Sequence, residues 1–321
     1  MGVPIFDSHC DVLYQLWKRN DPSLFYKTDS DLHCSYWRLR QGFVQVQTLA
    51  VFIPPEVPQA QKTVEALRMI DMVHHFILKA GKKIQLLKPG DGWPQIKRDQ
   101  DVLYILLSLE GADPIGDNLS LVRIFYELGI SSLGLTWNYR NLVADGVGER
   151  NPGGLSRFGI ELVKELNRLS VAIDISHLAE PAFWDVISLS DQPVMASHCN
   201  VRKLCDHPRN LSDAQITAIF KQGGVIGINF VPQFVSQEGR ADWDGLLRHL
   251  DHLLSLGGED HIGFGSDFDG SPEIIEPLSH SGCWQQLVEK CQSYFSDDII
   301  YKLFFLNWQK YYAKLWTDSA K

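Results

Sequence analysis

Short apolar runs alternate along this chain with longer stretches in which apolar residues recur every three or four positions. Eight runs have the length and the Val, Ile and Leu content of buried strands. They cover residues 3–6, 43–52, 102–109, 132–136, 171–176, 194–197, 225–230 and 262–266. Helical periodicity fills most of the intervals, over 59–79, 119–128, 155–169, 181–189, 213–221 and 243–256. Strands that alternate with helices pair in parallel, and eight of them predict an α/β fold, a closed (β/α)8 TIM barrel.

Residues that start and stop helices agree with this pattern. Three of the periodic stretches are preceded by a side chain suited to an N-cap, namely Asn118, Ser212 and Asp242. Three are followed by a glycine, namely Gly129, Gly223 and Gly257. The 321 residues are 45% hydrophobic and 21% charged. A barrel of this kind needs about 250 residues. We therefore expect one domain over 1–321, with a C-terminal helical segment at about 283–315.

The charge balance narrows the choice of partners. The formal net charge is −9, whereas phosphate binding needs clustered Lys and Arg, so we expect no nucleic-acid partner. No apolar run approaches membrane-spanning length, and no secretion signal is recognisable, so we expect a cytoplasmic protein without membrane contact. The six cysteines show no close paired spacing and are expected to be reduced. Alternation along a strand turns Cys10 and Cys199 away from the side chains considered next.

Ionisable side chains close five of the strand-like runs. The first run leads into His9-Cys10-Asp11, in which His9 and Asp11 share one face. The other four runs end at Glu110, His177, His198 and Asp267. Imidazole nitrogen and carboxylate oxygen are ligands for zinc, and the two oxygens of Glu110 could bridge two cations. Each residue alone has a structural explanation, but their shared position at strand ends predicts a two-metal centre.

Six short motifs, in order along nearly the whole chain, resemble the renal (membrane) dipeptidase family of zinc peptidases. They are Phe-Asp-Ser-His-Cys-Asp at 6–11, Ser-Leu-Glu-Gly at 108–111, Asp-Ile-Ser-His at 174–177, Ser-His at 197–198, His-Pro-Arg-Asn at 207–210 and Gly-Ser-Asp-Phe-Asp-Gly at 265–270. The opening His-x-Asp is specific, because related metal-dependent hydrolase barrels usually open with His-x-His.

The resemblance implies roles for the residues within these motifs. His9 and Asp11 would bind one zinc, His177 and His198 the other, and Glu110 would bridge them. Asp267 would exchange the proton and Arg209 would hold the substrate's terminal carboxylate. The resemblance thus implies two Zn²⁺ per chain and hydrolysis of dipeptides with a free C-terminal carboxylate by metal-activated hydroxide. The absence of a recognisable secretion signal or lipid anchor departs from the best-known members and leads us to expect a soluble bacterial-type member, for which a homodimer is possible.

One position departs from the family pattern. The best-known mammalian members end the fourth strand with Leu-Thr-His, whereas residues 135–138 read Leu-Thr-Trp-Asn. The indole of Trp137 cannot accept a hydrogen bond on its ring nitrogen, so it cannot replace the family histidine. We expect Trp137 and Asn138 to contact the substrate, and either Asn138 or a group from the loop over 139–145 to take the place of that histidine. Two alternatives stay open. One is a metal-dependent hydrolase of the same barrel class acting on another amide, a lactone or a phosphodiester, and the other is a non-catalytic metal-stabilised binding protein.

Overall fold

Parallel strands form a closed barrel in the computed structural model, which describes residues 2–96, 101–237 and 241–317, without the side chains of Ala80 and Lys82. The strands are β1 (Ile5–Cys10), β2 (Val44–Phe52), β3 (Ile84–Leu86), β4 (Leu103–Glu110), β5 (Ile130–Gly134), β6 (Ala172–Asp174), β7 (Met195–Ala196), β8 (Val225–Ile228) and β9 (Ile262–Phe264). The barrel runs in the order β1-β2-β4-β5-β6-β7-β8-β9 and closes between β9 and β1. The predicted (β/α)8 barrel is confirmed.

The short strand β3 is an addition that the apolar pattern did not reveal. It pairs with the first half of β4, where Ile84 lies opposite Leu103 and Leu86 opposite Ile105. The second half of β4 pairs with β5 instead. Because β2 covers the other edge of β4, the extra strand leaves the eight-stranded barrel intact.

Helices surround the barrel and follow the strands. They are α1 (Val12–Arg19), α2 (Tyr36–Gln41), α3 (Gln59–His75), α4 (Leu119–Glu127), α5 (Arg157–Leu169), α6 (Glu180–Leu189), α7 (Asp213–Lys221), α8 (Pro232–Val235), α9 (Trp243–Ser255), α10 (Trp284–Gln292), α11 (Asp297–Tyr301) and α12 (Asn307–Thr317). In the described part of the chain, no helix is both long and apolar enough to cross a lipid bilayer.

Capping side chains define where several helices begin. Ser212 and Gln215 form a reciprocal capping box at the start of α7. The side chains of Asn118 and Asp242 accept backbone N–H groups at the starts of α4 and α9, as predicted. The helix predicted over 59–79 ends at His75, because Phe76 leaves helical geometry and a 3-10 helix follows over Ile77–Lys83.

The C-terminal helix closes one end of the barrel. Phe6, near the start of β1, stacks on Tyr312 of α12 with ring centroids 5.9 Å apart. Trp308 donates its indole N–H to the carbonyl of Phe264 at 3.2 Å. Both α12 side chains are fully buried, and burying a large apolar side chain stabilises a fold by about 1.5–3 kcal/mol. The N-terminal end of the barrel is therefore sealed, and the opposite end is where chemistry is expected in this fold.

Candidate metal centre

Five strands deliver their ionisable side chains to one place at the C-terminal end of the barrel. His9 lies in β1 and Glu110 is the last residue of β4. His177, His198 and Asp267 lie just beyond β6, β7 and β9. Among the residues that the structure describes, three overlapping groups have ligand atoms spaced for a metal ion: His9 with Asp11 and Glu110, Glu110 with His177 and His198, and His9 with His198 and Asp267.

The carboxylate of Glu110 faces two different sets of side chains. Its Oε2 lies 3.6 Å from Nε2 of His9. Its Oε1 lies 3.0 Å from Nε2 of His177 and 3.8 Å from Nε2 of His198. Nε2 of His9 is also 3.4 Å from Oδ2 of Asp11. Glu110 is thus placed to serve two cations, one on each oxygen.

The two histidines opposite Glu110 present ring nitrogens to each other. Nε2 of His177 and Nε2 of His198 are 3.0 Å apart. Nδ1 of His177 lies 2.7 Å from the amide oxygen of Asn138, which can only accept, so Nδ1 carries the hydrogen. Burial, with the charge of Arg209, keeps the pKa of His177 well below its ordinary value, and burial does the same for the pKa of His198. Neutral rings with facing lone pairs fit a cation.

The opposite side of the centre contains buried atoms without partners. Among the described residues, neither ring nitrogen of His9 nor Oδ1 of Asp11 has a hydrogen-bond partner. An unpaired buried polar group costs about 1–3 kcal/mol, so such atoms indicate a ligand. These donors fit a metal ion.

Burial and mutual repulsion shift the pKa values of the carboxylates in the centre. Burial, with the neighbouring Asp11, raises the pKa of Glu110 well above its ordinary value. Burial also raises the pKa of Asp11. Burial opposes a charge on His9, but the carboxylates of Glu110 and Asp11 outweigh it and raise the pKa of His9. A divalent cation bound here would favour the ionised form of these carboxylates.

Backbone geometry at the strand ends permits this crowding. His177 and Asp267 adopt φ values of 66° and 62°, in the left-handed region that L-residues rarely occupy. Strain of this kind concentrates at functional sites. A Cβ on Gly270 would collide with the carboxylates of Asp11 and Asp267. Only glycine therefore lets this loop pass so close to both acids.

Arg209 lies beside the centre in a buried position. Arg209 is only 5% exposed, and its Nη2 donates a hydrogen bond to the carbonyl of His198 at 3.2 Å. Its Nε has no hydrogen-bond partner, and the guanidinium forms no ion pair within the described part of the chain. A cavity of about 300 Å³ is lined by both His177 and Arg209. The site thus holds a cation that is free to pair with an anionic ligand.

The thiol of Cys199 lines the same cavity. Nη1 of Arg209 lies 3.6 Å from its sulfur. Alternation predicted that Cys199 points away from the ligands, and its sulfur also contacts the hydroxyl oxygen of Ser176, at 3.6 Å. All six cysteines are free thiols, as expected.

The two residues of the departing motif have different positions. The Trp137 ring is half-buried against Phe52, with centroids 5.2 Å apart, and lies 6.1 Å from the ring of His177. The side chain of Asn138 contacts His177 through the hydrogen bond described above. Trp137 therefore forms part of the wall beside the centre, and the amide oxygen of Asn138 orients a histidine.

Sequence reasoning missed several residues that hold the centre in place. Asn229, just beyond β8, donates its side-chain N–H to Oδ2 of Asp267 at 2.8 Å. The hydroxyl oxygen of Ser197 lies 2.7 Å from Nδ1 of His198, and the same hydroxyl donates to the carboxylate of Asp174. The polar Asn229 inside the apolar run 225–230 was a usable signal, because it occupies the same strand-end position as the ligands.

A (β/α)8 barrel whose strand ends converge on imidazoles and carboxylates is an arrangement that metal-dependent hydrolases use. The sequence model of the membrane dipeptidase family (peptidase family M19) matches residues 1–315, and the chain belongs to this family. An uncharacterised dipeptidase from Schizosaccharomyces pombe is 30% identical, covering 89% of this chain and 74% of that protein. The enzyme is thus a metal-dependent dipeptidase.

Two solved structures share its architecture. The crystal structure of dipeptidase AC, a metallopeptidase of family M19, is 29% identical, with a TM-score of 0.90 and coverage of 98% of this chain and 99% of the other. A metallopeptidase from Rhodobacter sphaeroides, liganded with a phosphinate mimic of the dipeptide L-Ala-D-Ala, is 27% identical. Its TM-score is 0.89, with coverage of 99% and 100%.

Proposed function

We propose that the enzyme hydrolyses dipeptides with a free C-terminal carboxylate and that it uses two Zn²⁺ ions at the centre around Glu110. The observation that carries the two-metal assignment is the position of Glu110, whose two oxygens face His9 and His177 respectively. A single catalytic zinc uses three protein ligands, whereas five donors with one shared carboxylate suit a pair of cations.

The donors divide into two sets that share Glu110. His9 and Asp11 would hold one ion, and His177 and His198 the other. Nitrogen and carboxylate oxygen in this combination favour zinc among the common divalent ions, because calcium and magnesium prefer oxygen alone. When bound, the two ions would polarise the scissile carbonyl and lower the pKa of a water molecule toward neutrality.

Asp267 is the residue that would move the proton. Asn229 holds its Oδ2, and its Oδ1 lies 3.9 Å from Nε2 of His9, facing the centre. An ionised carboxylate in this position can take a proton from the attacking water and deliver it to the leaving amine. Glu110 would take part in catalysis by holding both ions while this transfer occurs.

Arg209 would select the free carboxylate of the substrate. Its unpartnered Nε is a donor that a carboxylate could satisfy, and the planar guanidinium suits that group. The adjoining cavity of about 300 Å³ suits a small ligand such as a dipeptide. The dipeptide mimic bound by the Rhodobacter sphaeroides relative supports this class of substrate.

Hydrolysis of a dipeptide, its C-terminal amide and the tripeptide extended by one residue tests this function. The amide lacks the charge that pairs with Arg209, and the extra residue moves the carboxylate away from it. Losing a charge-assisted hydrogen bond costs about 1.5–3 kcal/mol, so kcat/KM should fall by about 10- to 100-fold for both. Equal cleavage of all three compounds would remove Arg209 from this role.

Substitution of Arg209 adds a matched comparison. Arg209→Ala should raise KM for the dipeptide and narrow its advantage over the amide. Arg123→Ala removes a guanidinium that pairs with Glu165 on the outside of the barrel and should leave both values unchanged. An undiminished preference for the dipeptide in Arg209→Ala would contradict the proposal.

A further inference from the structure

A buried carboxylate lies behind the histidine side of the centre. Asp174 is the last residue of β6 and is 6% exposed. Its Oδ1 accepts two backbone N–H groups, from Ser176 at 3.0 Å and from Ser197 at 2.9 Å. Its Oδ2 accepts the hydroxyl of Ser197. The carboxylate is therefore fixed in orientation, with one oxygen on the backbone and the other on Ser197.

The hydroxyl of Ser197 connects this carboxylate to His198. A hydroxyl has one hydrogen, and Asp174 can only accept it. The Ser197 oxygen must then act as acceptor toward Nδ1 of His198, 2.7 Å away. Nδ1 consequently carries the imidazole hydrogen, and Nε2 offers its lone pair to the centre, where Oε1 of Glu110 lies 3.8 Å away.

We propose that Asp174 is a positioning residue that sets the tautomer of His198 through Ser197 and thereby raises the metal affinity of this side of the centre. The inference rests on the proposed function, in which His198 is a metal ligand. Groups that orient a metal-binding histidine typically contribute about 10- to 100-fold in affinity.

Asp174→Asn provides a sharp test because it reverses the chain of hydrogen bonds. The two backbone N–H groups require an acceptor, so the new amide oxygen stays on them and the NH₂ group faces Ser197. The Ser197 oxygen then accepts from the amide and turns its own hydrogen toward Nδ1 of His198 at 2.7 Å, because the other acceptor beside it, the hydroxyl oxygen of Ser176, is farther away at 3.3 Å. This arrangement favours the tautomer with hydrogen on Nε2. Nε2 then has no lone pair to offer to a metal ion in the centre.

Removing the hydroxyl should therefore relieve the effect of Asp174→Asn. In Ser197→Ala the tautomer of His198 is no longer imposed, so metal binding can select the productive form at a smaller cost. In the double variant the amide at 174 has no connection to His198. The metal affinity of the double variant should therefore lie nearer to that of Ser197→Ala than to that of Asp174→Asn. If Asp174 only stabilised the fold, adding Ser197→Ala would not restore affinity to Asp174→Asn.

Titration of the metal-free proteins with Co²⁺, followed by visible absorption, measures this order. Asp174→Asn should weaken one of the two binding steps by about 10- to 100-fold. Asp185→Asn is the matched control, since Asp185 also accepts a backbone N–H, from Leu155, but lies outside the centre. Asp174→Asn with the affinity of the parent, or a double variant as weak as Asp174→Asn, would overturn the proposal.

Nuclear magnetic resonance of the metal-free parent protein, labelled with ¹⁵N-histidine, decides the matter if Asp174→Asn fails to fold. Hydrogen on Nδ1 of His198 supports the proposal, and hydrogen on Nε2 overturns it. The His198→Ala variant identifies the signal. If His198→Ala still binds two Co²⁺ ions tightly, the ligand assignment in the proposed function is wrong, and this inference falls with it.

Discussion

Asn229 donates a hydrogen bond from its side-chain NH₂ group to Oδ2 of Asp267, over 2.8 Å. The amide cannot be reversed, because its oxygen accepts the backbone N–H of Val231 at 2.6 Å. Asn229 is completely buried, so water does not compete for this hydrogen bond. The contact leaves Oδ1 of Asp267 directed at the candidate metal centre.

The role of Asp267 can be tested by a substitution that keeps its shape. Asp267→Asn should retain the metal content of the parent but lower kcat by about 100-fold or more, because an amide cannot accept the proton. Turnover and metal content should be measured on the same preparation. Hydrolysis at the parent rate would show that another group moves the proton.

Asn229 should affect turnover more than binding. Asn229→Ala frees the Asp267 carboxylate to rotate, so we expect kcat to fall by about 10- to 100-fold with a smaller change in KM. Asn118→Ala removes the N-cap of α4, away from the centre. This control should lose about 1 kcal/mol of unfolding free energy and keep the parent kcat. Equal kcat in both variants would contradict the role of Asn229.

Trp137 should influence which dipeptides are preferred. Its ring packs on Phe52 beside His177, so Trp137→Ala enlarges the wall of the site without removing a proton donor or a metal ligand. Relative kcat/KM values across a panel of dipeptides should change more than the best turnover. Trp37→Ala, at a half-exposed ring, should leave the ranking unchanged. A uniform loss for substrates of every size would instead indicate that Trp137 supports the architecture.

The buried His249 should make the free energy of unfolding depend on pH, independently of catalysis. Burial lowers its pKa to about 4, and its ring accepts the N–H of Val201 and contacts the carbonyl of Val235. In the unfolded chain the imidazole of His249 becomes protonated below pH ~6.5, whereas in the folded protein it becomes protonated only near pH 4. The folded state should therefore lose about 3 kcal/mol as the pH falls through this window.

Denaturant unfolding of the metal-free protein between pH 7 and pH 4 measures this effect. His249→Gln cannot titrate, so the difference in unfolding free energy between parent and variant should shrink as the pH falls. A difference that stays constant over the whole range would show that His249 is not the titrating group.

The barrel could be predicted from sequence because its causes are local. Apolar runs and helical periodicity recur in a fixed order, and caps such as Ser212 act within four residues of themselves. The strand ends were less accurate: β7 covers only Met195–Ala196, although the apolar run extends over 194–197. Strand length depends on pairing with neighbours, which a single run does not encode.

The candidate site was predicted in part for the same reason. His9, Glu110 and His198 follow strand-like runs, so parallel pairing brings them together at one end. Their supports could not be found in this way. Asn229 and Asp174 act on residues far away in the sequence, and the orientation of each is set by backbone N–H groups whose positions only the folded chain defines.

Titration of the metal-free enzyme with Zn²⁺, with dipeptide hydrolysis measured at each step, tests the central claim most directly. If Glu110 joins two ions in one centre, activity should rise to its maximum at two bound equivalents per chain and remain constant beyond that point. Full activity at one equivalent, or without added metal, would contradict the two-metal account.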